Sequence, residues 1–325
     1  MKILVAGATG VVGRRLVPLL AAGGHRVIAT TRTPDKLKGL YAPGVEPVLM
    51  DGLDRDSVMR AVTGARPDVI VHQMTALAPV LDSRKFDAEL ALTNRLRTDG
   101  TALLIAAAEA AGIPKLVAQS YTGWPNQRQG GRVKTEADAL DATPPRAQRT
   151  TLAAIQTLER LVTDAPGAGG IALRFGSLYG PGTAMAADGA IVDLVRRRKF
   201  PIVGNGGGVW SFIHVDDAAW ATKLAIERGS TGTYNIVDDE PAEVSVWLPD
   251  LARAVGAPPP FRLPAWLARF AIGEVGVSLM TRVRGASNAK AKQAFGWRPQ
   301  YASWRDGFRH GLSAERPAEM YLKAI

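Results

Sequence analysis

The densest chemical signal lies near the start of the chain, in Gly7-Ala8-Thr9-Gly10-Val11-Val12-Gly13. Three glycines at this spacing, after a β-branched run and before a helical pattern, bring backbone N–H groups up to a phosphate. Gly7 permits a tight turn, Gly10 lets the main chain approach a pyrophosphate, and Gly13 allows helix and strand to pack closely. Thr9, Val11 and Val12 complete the loop, and the helix behind it adds free N–H groups and a positive dipole end. The chemistry implied is dinucleotide binding. A second position bears on which dinucleotide. An acidic residue at the end of the second strand would hold free ribose hydroxyls. The sequence there is Thr30-Thr31-Arg32, with Lys36 and Arg14 nearby. A guanidinium suits bidentate contact with a 2′-phosphate, so NADP is expected ahead of NAD, with NAD possible.

These residues need a parallel sheet to hold them. Short β-branched runs at Lys2–Ala6, His25–Thr31, Val45–Met50, Asp68–His72, Lys115–Ser120 and Ile171–Phe175 alternate with helical patterns. That alternation is the signature of βαβ units. A long helix ends in Thr101–Gly112, where Gly112 supplies the stop. The Pro-, Gly- and Arg-rich segment Pro125–Arg149 is too long for a structureless loop and reads as functional or a lid. Asp216 precedes a helical run over Ala218–Arg228 and is placed to cap it. The fold class expected is α/β, a Rossmann-type doubly wound parallel sheet with a smaller C-terminal substrate-binding lobe. Residues 1–176 plus 211–236 would form the first domain and 177–210 plus 237–320 the second.

At 325 residues the chain can bury a full core, and 46% hydrophobic with 22% charged residues is ordinary for a globular protein. No apolar run is long enough to span a bilayer, and the brief apolar start breaks at Gly7, so a cytoplasmic location is expected. The absence of Cys removes disulfides and thiolate metal sites. His25, His72, His214 and His310 lack metal-like spacing, so no metal is expected. The net charge of +10 raises nucleic-acid binding as a class. Its Lys and Arg are dispersed, however, and the densest run, Arg196-Arg197-Arg198-Lys199, ends a helical pattern. Anionic small molecules fit that charge better, and neither nucleic acid nor membrane is expected as a partner.

The spacing G-x-x-G-x-x-G resembles that of the extended short-chain dehydrogenase/reductase superfamily, the NAD-dependent epimerase/dehydratase group. Further landmarks are similar over residues 1 to about 312. They include Arg174-Phe175-Gly176-Ser177-Leu178-Tyr179-Gly180-Pro181-Gly182, Phe212-Ile213-His214-Val215-Asp216-Asp217, Tyr234-Asn235-Ile236 and Phe295-Gly296-Trp297-Arg298-Pro299. The resemblance implies that Asp51 and Gly52 contact the adenine. It places His72, Gln73 and Met74 under the cofactor ribose, and gives Arg174 to the cofactor side. Asn94, with Gly100-Thr101 behind it, matches the family's helix-four Asn, and Ser120 its catalytic Ser. Trp124, Tyr179, Trp210 and His214 are the substrate-side candidates, although His214 also suits a satisfied core histidine. A homodimer through the helices around 84–112 and 150–163 is implied as well.

Two departures bear on the chemistry. The superfamily's proton donor is a Tyr four residues before a Lys, and none of the six Tyr here has Lys at that distance. Alignment on Glu159 places Thr151 at the Tyr position and Ile155 at the Lys position. Tyr179 and Tyr121 are then the available phenols. Tyr179 ranks first, because Tyr121 adjoins Ser120 and strand neighbours point to opposite faces. Lys134 and His72 are further conceivable donors. Nucleotide-sugar members carry an Arg where Trp210 stands, so a flatter, less charged small molecule is expected. The reading is an NAD(P)-dependent oxidoreductase or epimerase/dehydratase-like enzyme on a hydroxy or carbonyl compound. A non-redox lyase or cyclase with a structural dinucleotide and a catalytically silent NADP-binding regulator remain as alternatives.

Overall fold

The computed structural model describes residues 1–78, 82–165, 167 and 169–313. Its centre is a seven-stranded parallel sheet of β1 (Lys2–Ala6), β2 (Arg26–Thr31), β3 (Val45–Leu49), β4 (Val69–His72), β5 (Lys115–Tyr121), β6 (Gly169–Phe175) and β7 (Gly232–Ile236). The order across the sheet is β7-β6-β5-β4-β1-β2-β3. The reversal of direction falls between β1 and β4, where a doubly wound sheet opens its binding crevice. Ile3, Leu4, Val5 and Ala6 are fully buried, because helices cover both faces of the sheet.

One face carries α1 (Gly13–Ala22) and α5 (Val215–Arg228); the other carries α2 (Arg55–Ala65), α3 (Thr101–Ala111) and α4 (Arg149–Thr163). Gly112 closes α3 in the left-handed conformation at φ 66°, as its position in sequence predicts. The helix before it is not one regular rod. Ala91–Arg95 runs into a π-turn at Leu96–Gly100 and only then into α3. The cap of α5 also differs from expectation. His214, not Asp216, accepts the free N–H, through Nδ1 at 3.2 Å. Asp216 pairs with Arg15 at 3.3 Å instead.

A second core gathers Tyr179, Phe212, Trp247, Tyr301, Trp304 and Phe308, all buried, beyond the C-terminal ends of the strands. The segment expected as a loop or lid is fastened down. Val133–Lys134 pairs in parallel with Gly285–Ala286, Arg128 meets Asp141 at 2.8 Å, and Asn126 Nδ2 donates to the Gly285 carbonyl at 3.3 Å. Residues 314–320 of the expected second lobe lie outside the described residues.

Candidate functional site

The glycine loop has the geometry that its spacing requires. Gly7 sits at φ +93°, and a Cβ there would lie 2.8 Å from the backbone of Gln73. A Cβ on Gly13 would stand 2.3 Å from the Gly7 carbonyl oxygen, so helix and loop could not close. Gly10 N donates to Gly7 O at 3.0 Å, and Gly10 is exposed at the crest of the turn. Thr9 and Val11 are half-buried beside it, and Val12 beneath it is buried. No side chain caps α1, and within its first turn Arg14 N and Arg15 N donate to the Gly10 and Val12 carbonyls at 2.9 and 3.0 Å. Arg32 is exposed at the end of β2.

The floor is set by β4. Gln73 is buried, yet neither its Nε2 nor its Oε1 has a hydrogen-bond partner. An amide orphaned beside the glycine loop is what a polar dinucleotide would satisfy. The residues present therefore fit a bound nicotinamide dinucleotide. Met74 covers Gly52, where a Cβ would meet its sulfur at 2.3 Å. Asp51 is exposed, and one of its carboxylate oxygens accepts from Leu53 N at 3.0 Å. His72 is committed to the wall: Nε2 donates to the Leu96 carbonyl at 3.1 Å and Nδ1 accepts from Met74 N at 3.2 Å. Burial lowers its pKa to about 4, with the Arg97 charge adding to the fall, so it is neutral at physiological pH.

Several expected catalytic groups are engaged elsewhere. Ser120 Oγ donates to Glu159 Oε1 at 2.7 Å, and Arg174 holds both Glu159 oxygens at 2.7 Å. This triad is buried, with Arg174 and Glu159 side chains only 8% and 9% exposed, and it spends the Nε and Nη2 of Arg174 on Glu159. Thr151 is fully buried and donates to Asp87 Oδ1 at 2.7 Å while accepting from Asn94 Nδ2 at 2.9 Å. Thr151 thus helps seat α4, whose first N–H groups Asp87 also caps, while Asn94 keeps a buried Oδ1 without a partner. Ile155 is buried in the apolar core of α4.

The ranking of the two phenols is reversed. Tyr179 is fully buried in the second core, edge-on to His214 at 5.2 Å and Phe308 at 5.4 Å, and its hydroxyl has no partner. Desolvation, followed by nearby Asp238 and Asp217, raises its pKa far above the ordinary phenol value. It is walled off from a substrate. His214 is likewise enclosed, its Nε2 against the Gly311 carbonyl at 2.9 Å. Trp210 packs at a 43° tilt against Trp247, 5.0 Å between ring centres, and its Nε1 donates to Leu279 O. Lys134 is buried under Gln129 O at 2.7 Å. By contrast Tyr121 is half-buried, its hydroxyl 3.2 Å from Ser177 Oγ and its ring 6.4 Å from that of half-buried Trp124. Burial raises the Tyr121 pKa, and the Ser177 hydroxyl and the Arg97 charge offset part of the rise.

Arg97 escapes a reading by family landmarks. It lies on the π-turn, a distortion often found at functional sites. A usable signal exists in the sequence. Arg97, Thr101, Leu104 and Ala108 follow the i, i+4, i+7, i+11 spacing of an inward stripe, and a charge on such a stripe needs a reason.

A family model described as the NAD dependent epimerase/dehydratase family matches residues 3–237. A Streptomyces protein named 3-diazoavenalumate denitrifying reductase is 46% identical over 310 residues, covering 94% of this chain and 99% of its own length. A 2-alkyl-3-oxoalkanoate reductase of Stenotrophomonas maltophilia is 28% identical over 297 residues, 88% of this chain and 86% of its own. Among solved structures, a UDP-glucose 4-epimerase of Thermotoga maritima superposes with a TM-score of 0.74 over 100% of this chain and 99% of that one. At 20% identity that likeness shows the fold alone.

Proposed function

Because the chain belongs to the NAD-dependent epimerase/dehydratase family and is an NAD(P)-dependent oxidoreductase or epimerase of the extended short-chain type, we propose that it is an NADPH-dependent reductase whose substrate accepts hydride without a proton from the enzyme, an aromatic diazonium being the class that fits. The observation that carries this is the state of the proton-bearing groups. Thr151 and Ser120 are committed to carboxylates, and Tyr179 is sealed in an aromatic core. His72 is already neutral below pH 6, and Tyr121 is held above the ordinary phenol range. None of these groups is poised to shuttle a proton near neutrality.

Carbonyl reduction consumes a hydride and a proton. Reduction of a diazonium consumes only the hydride. Ar–N2+ plus H– gives Ar–N=N–H, which loses N2 as the C–N bond breaks and the hydrogen passes to carbon, leaving Ar–H. The nicotinamide, when bound, supplies that hydride. The chain's own part is to grip the dinucleotide with the glycine loop, Gln73 and Arg32, and to hold a flat ring beside Tyr121 and Trp124. The relative at 46% identity is named for removing a diazo group reductively, which supports the same class here.

The test supplies NADPH and diazotised 3-amino-4-hydroxycinnamate, following NADPH consumption and N2 release against an enzyme-free control. The expected result is stoichiometric N2, at a rate flat in pH from about 6 to 8 because no site group titrates there. Faster turnover of 3-oxoalkanoates than of the diazonium overturns the proposal. That outcome favours a slow ketoreductase with Tyr121 as donor, for which the Tyr121–Ser177 contact speaks. NADPH is the expected partner of Arg32, so Arg32→Asp should reverse the preference toward NADH in titration calorimetry. Equal affinities in the wild type remove Arg32 from that role. A homodimer through 84–112 and 150–163 belongs to the same reading, and a monomer by light scattering at micromolar concentration excludes it.

A further inference from the structure

Arg97 is a buried cation without a counter-ion of its own. Its side chain leaves the π-turn at Leu96–Gly100, the residue is 8% exposed, and its Nη1 has no hydrogen-bond partner. No carboxylate among the described residues lies within ion-pair distance of it. The ionisable groups near enough to act on it are Tyr121, whose phenol is neutral at physiological pH, and Glu159. Glu159 is already bound by both arms of Arg174 and by the Ser120 hydroxyl. Glu159 is therefore spent on Arg174 and Ser120, and Arg97 has no ion-pair partner among the described residues. Burial lowers the Arg97 pKa only to about 10, so the charge persists at neutral pH. An uncompensated buried charge is expensive, and a fold retains one where a ligand neutralises it.

We propose that Arg97 is the anion-binding residue of the substrate site, receiving a carboxylate or phenolate oxygen of a planar aromatic substrate whose ring lies along Tyr121 and Trp124. The half-buried rings of Tyr121, the last residue of β5, and of Trp124 just beyond it are inclined to each other by 32°. Phe86 meets Trp124 edge-on at 5.4 Å and backs that wall. A flat ring placed there brings its acidic oxygen toward a guanidinium with an unused donor. Charge-assisted bonding of this kind is strong in a site with little water. The proposal deepens the reading of a flat aromatic electrophile and rests on that reading for turnover, but not for binding.

The test is therefore a binding experiment. The protein, saturated with NADP+, is titrated calorimetrically with 4-hydroxycinnamate, with its carboxamide, and with its 4-methyl ether. Arg97→Met keeps the bulk of the side chain and removes the charge. The expected result is that wild type prefers one anionic form, and that Arg97→Met weakens that form by roughly 10- to 100-fold, the value of a charge-assisted contact. Binding of the neutral counterpart and of NADP+ should be unchanged. Loss against the carboxamide alone identifies the carboxylate as the anion, and loss against the methyl ether alone identifies the phenolate. A melting temperature at or above that of wild type is expected of Arg97→Met, since a buried charge is removed; Arg97→Lys should restore part of the affinity. Equal weakening of charged and neutral probes overturns the proposal. So does a fall in NADP+ affinity, which assigns Arg97 to the cofactor, and so does the absence of binding by any probe at millimolar concentration. Anion selectivity that depends on Arg97, together with no diazonium turnover, keeps this inference and sinks the reaction class.

Discussion

Replacing Glu159 and replacing Ser120 should produce opposite balances of stability and activity from those of a catalytic pair. Glu159 holds Arg174 through two contacts of 2.7 Å in a site where the two side chains are 9% and 8% exposed. Glu159→Gln keeps the shape but strips the charge, leaving a buried guanidinium unpaired. Such a loss costs about 3–5 kcal/mol. For a chain of this size roughly 1–2 °C of melting temperature goes with each kcal/mol, so the variant should melt about 3–10 °C lower. Ser120→Ala removes a single hydrogen bond to that charged group, about 1.5–3 kcal/mol, and leaves the Arg174 pair intact. Its melting point should fall by less, and its kcat should stay within a few-fold of wild type. A serine that orients the reacting group would instead cost about 10²–10⁴ in rate at unchanged stability. Calorimetric melting and steady-state kinetics on the same preparations decide between the two. A Ser120→Ala protein that melts like wild type and has lost two orders of magnitude in kcat refutes the structural assignment of the triad.

Tyr179→Phe should change kcat little and should leave stability the same or slightly higher, since it deletes a buried hydroxyl with no partner; a large kinetic loss returns Tyr179 to the site. The pH dependence of stability follows from His72. Its pKa is about 4 in the fold and about 6.5 in the unfolded chain, so the folded state resists protonation. The stability it contributes is complete above about pH 6.5 and is lost as the pH falls toward 4, to a limit of about 3 kcal/mol. Urea titrations at intervals across that window should show the decline, and His72→Gln should remove it. A variant that keeps the full slope assigns the effect to other groups.

Much of the architecture was legible because its signals are local. The strand runs are β-branched and evenly interrupted, the glycine spacing requires a strand before it and a helix behind it, and Gly112 marks a helix end by its own conformational freedom. The backbone geometry of the glycine loop was readable for the same reason. The catalytic half was not, since it depends on which way side chains turn after the chain has packed. Ser120 ends its strand as expected, yet its hydroxyl faces Glu159 on α4. Tyr179 follows the sixth strand, yet the aromatic residues that enclose it, Phe212, Tyr301 and Phe308, arrive from distant segments. The face argument that demoted Tyr121 was sound about Ser120 and Tyr121 pointing apart. The same alternation sends the Ser120 hydroxyl to Glu159 and the Tyr121 hydroxyl to Ser177.

The π-turn before α3 sets the angular phase between the two halves of one helix. Asn94 on the first half reaches Thr151, while Leu104 and Ala107 on the second pack against the sheet core. Each residue of an α-helix turns about 100° around the axis. Deleting a single residue from Leu96–Gly100 would let the helix close its regular ladder, and would swing either the Asn94 half or the α3 half out of place by about that angle. One inserted residue is therefore enough to lodge a cation in the wall of a dinucleotide cleft without altering a strand.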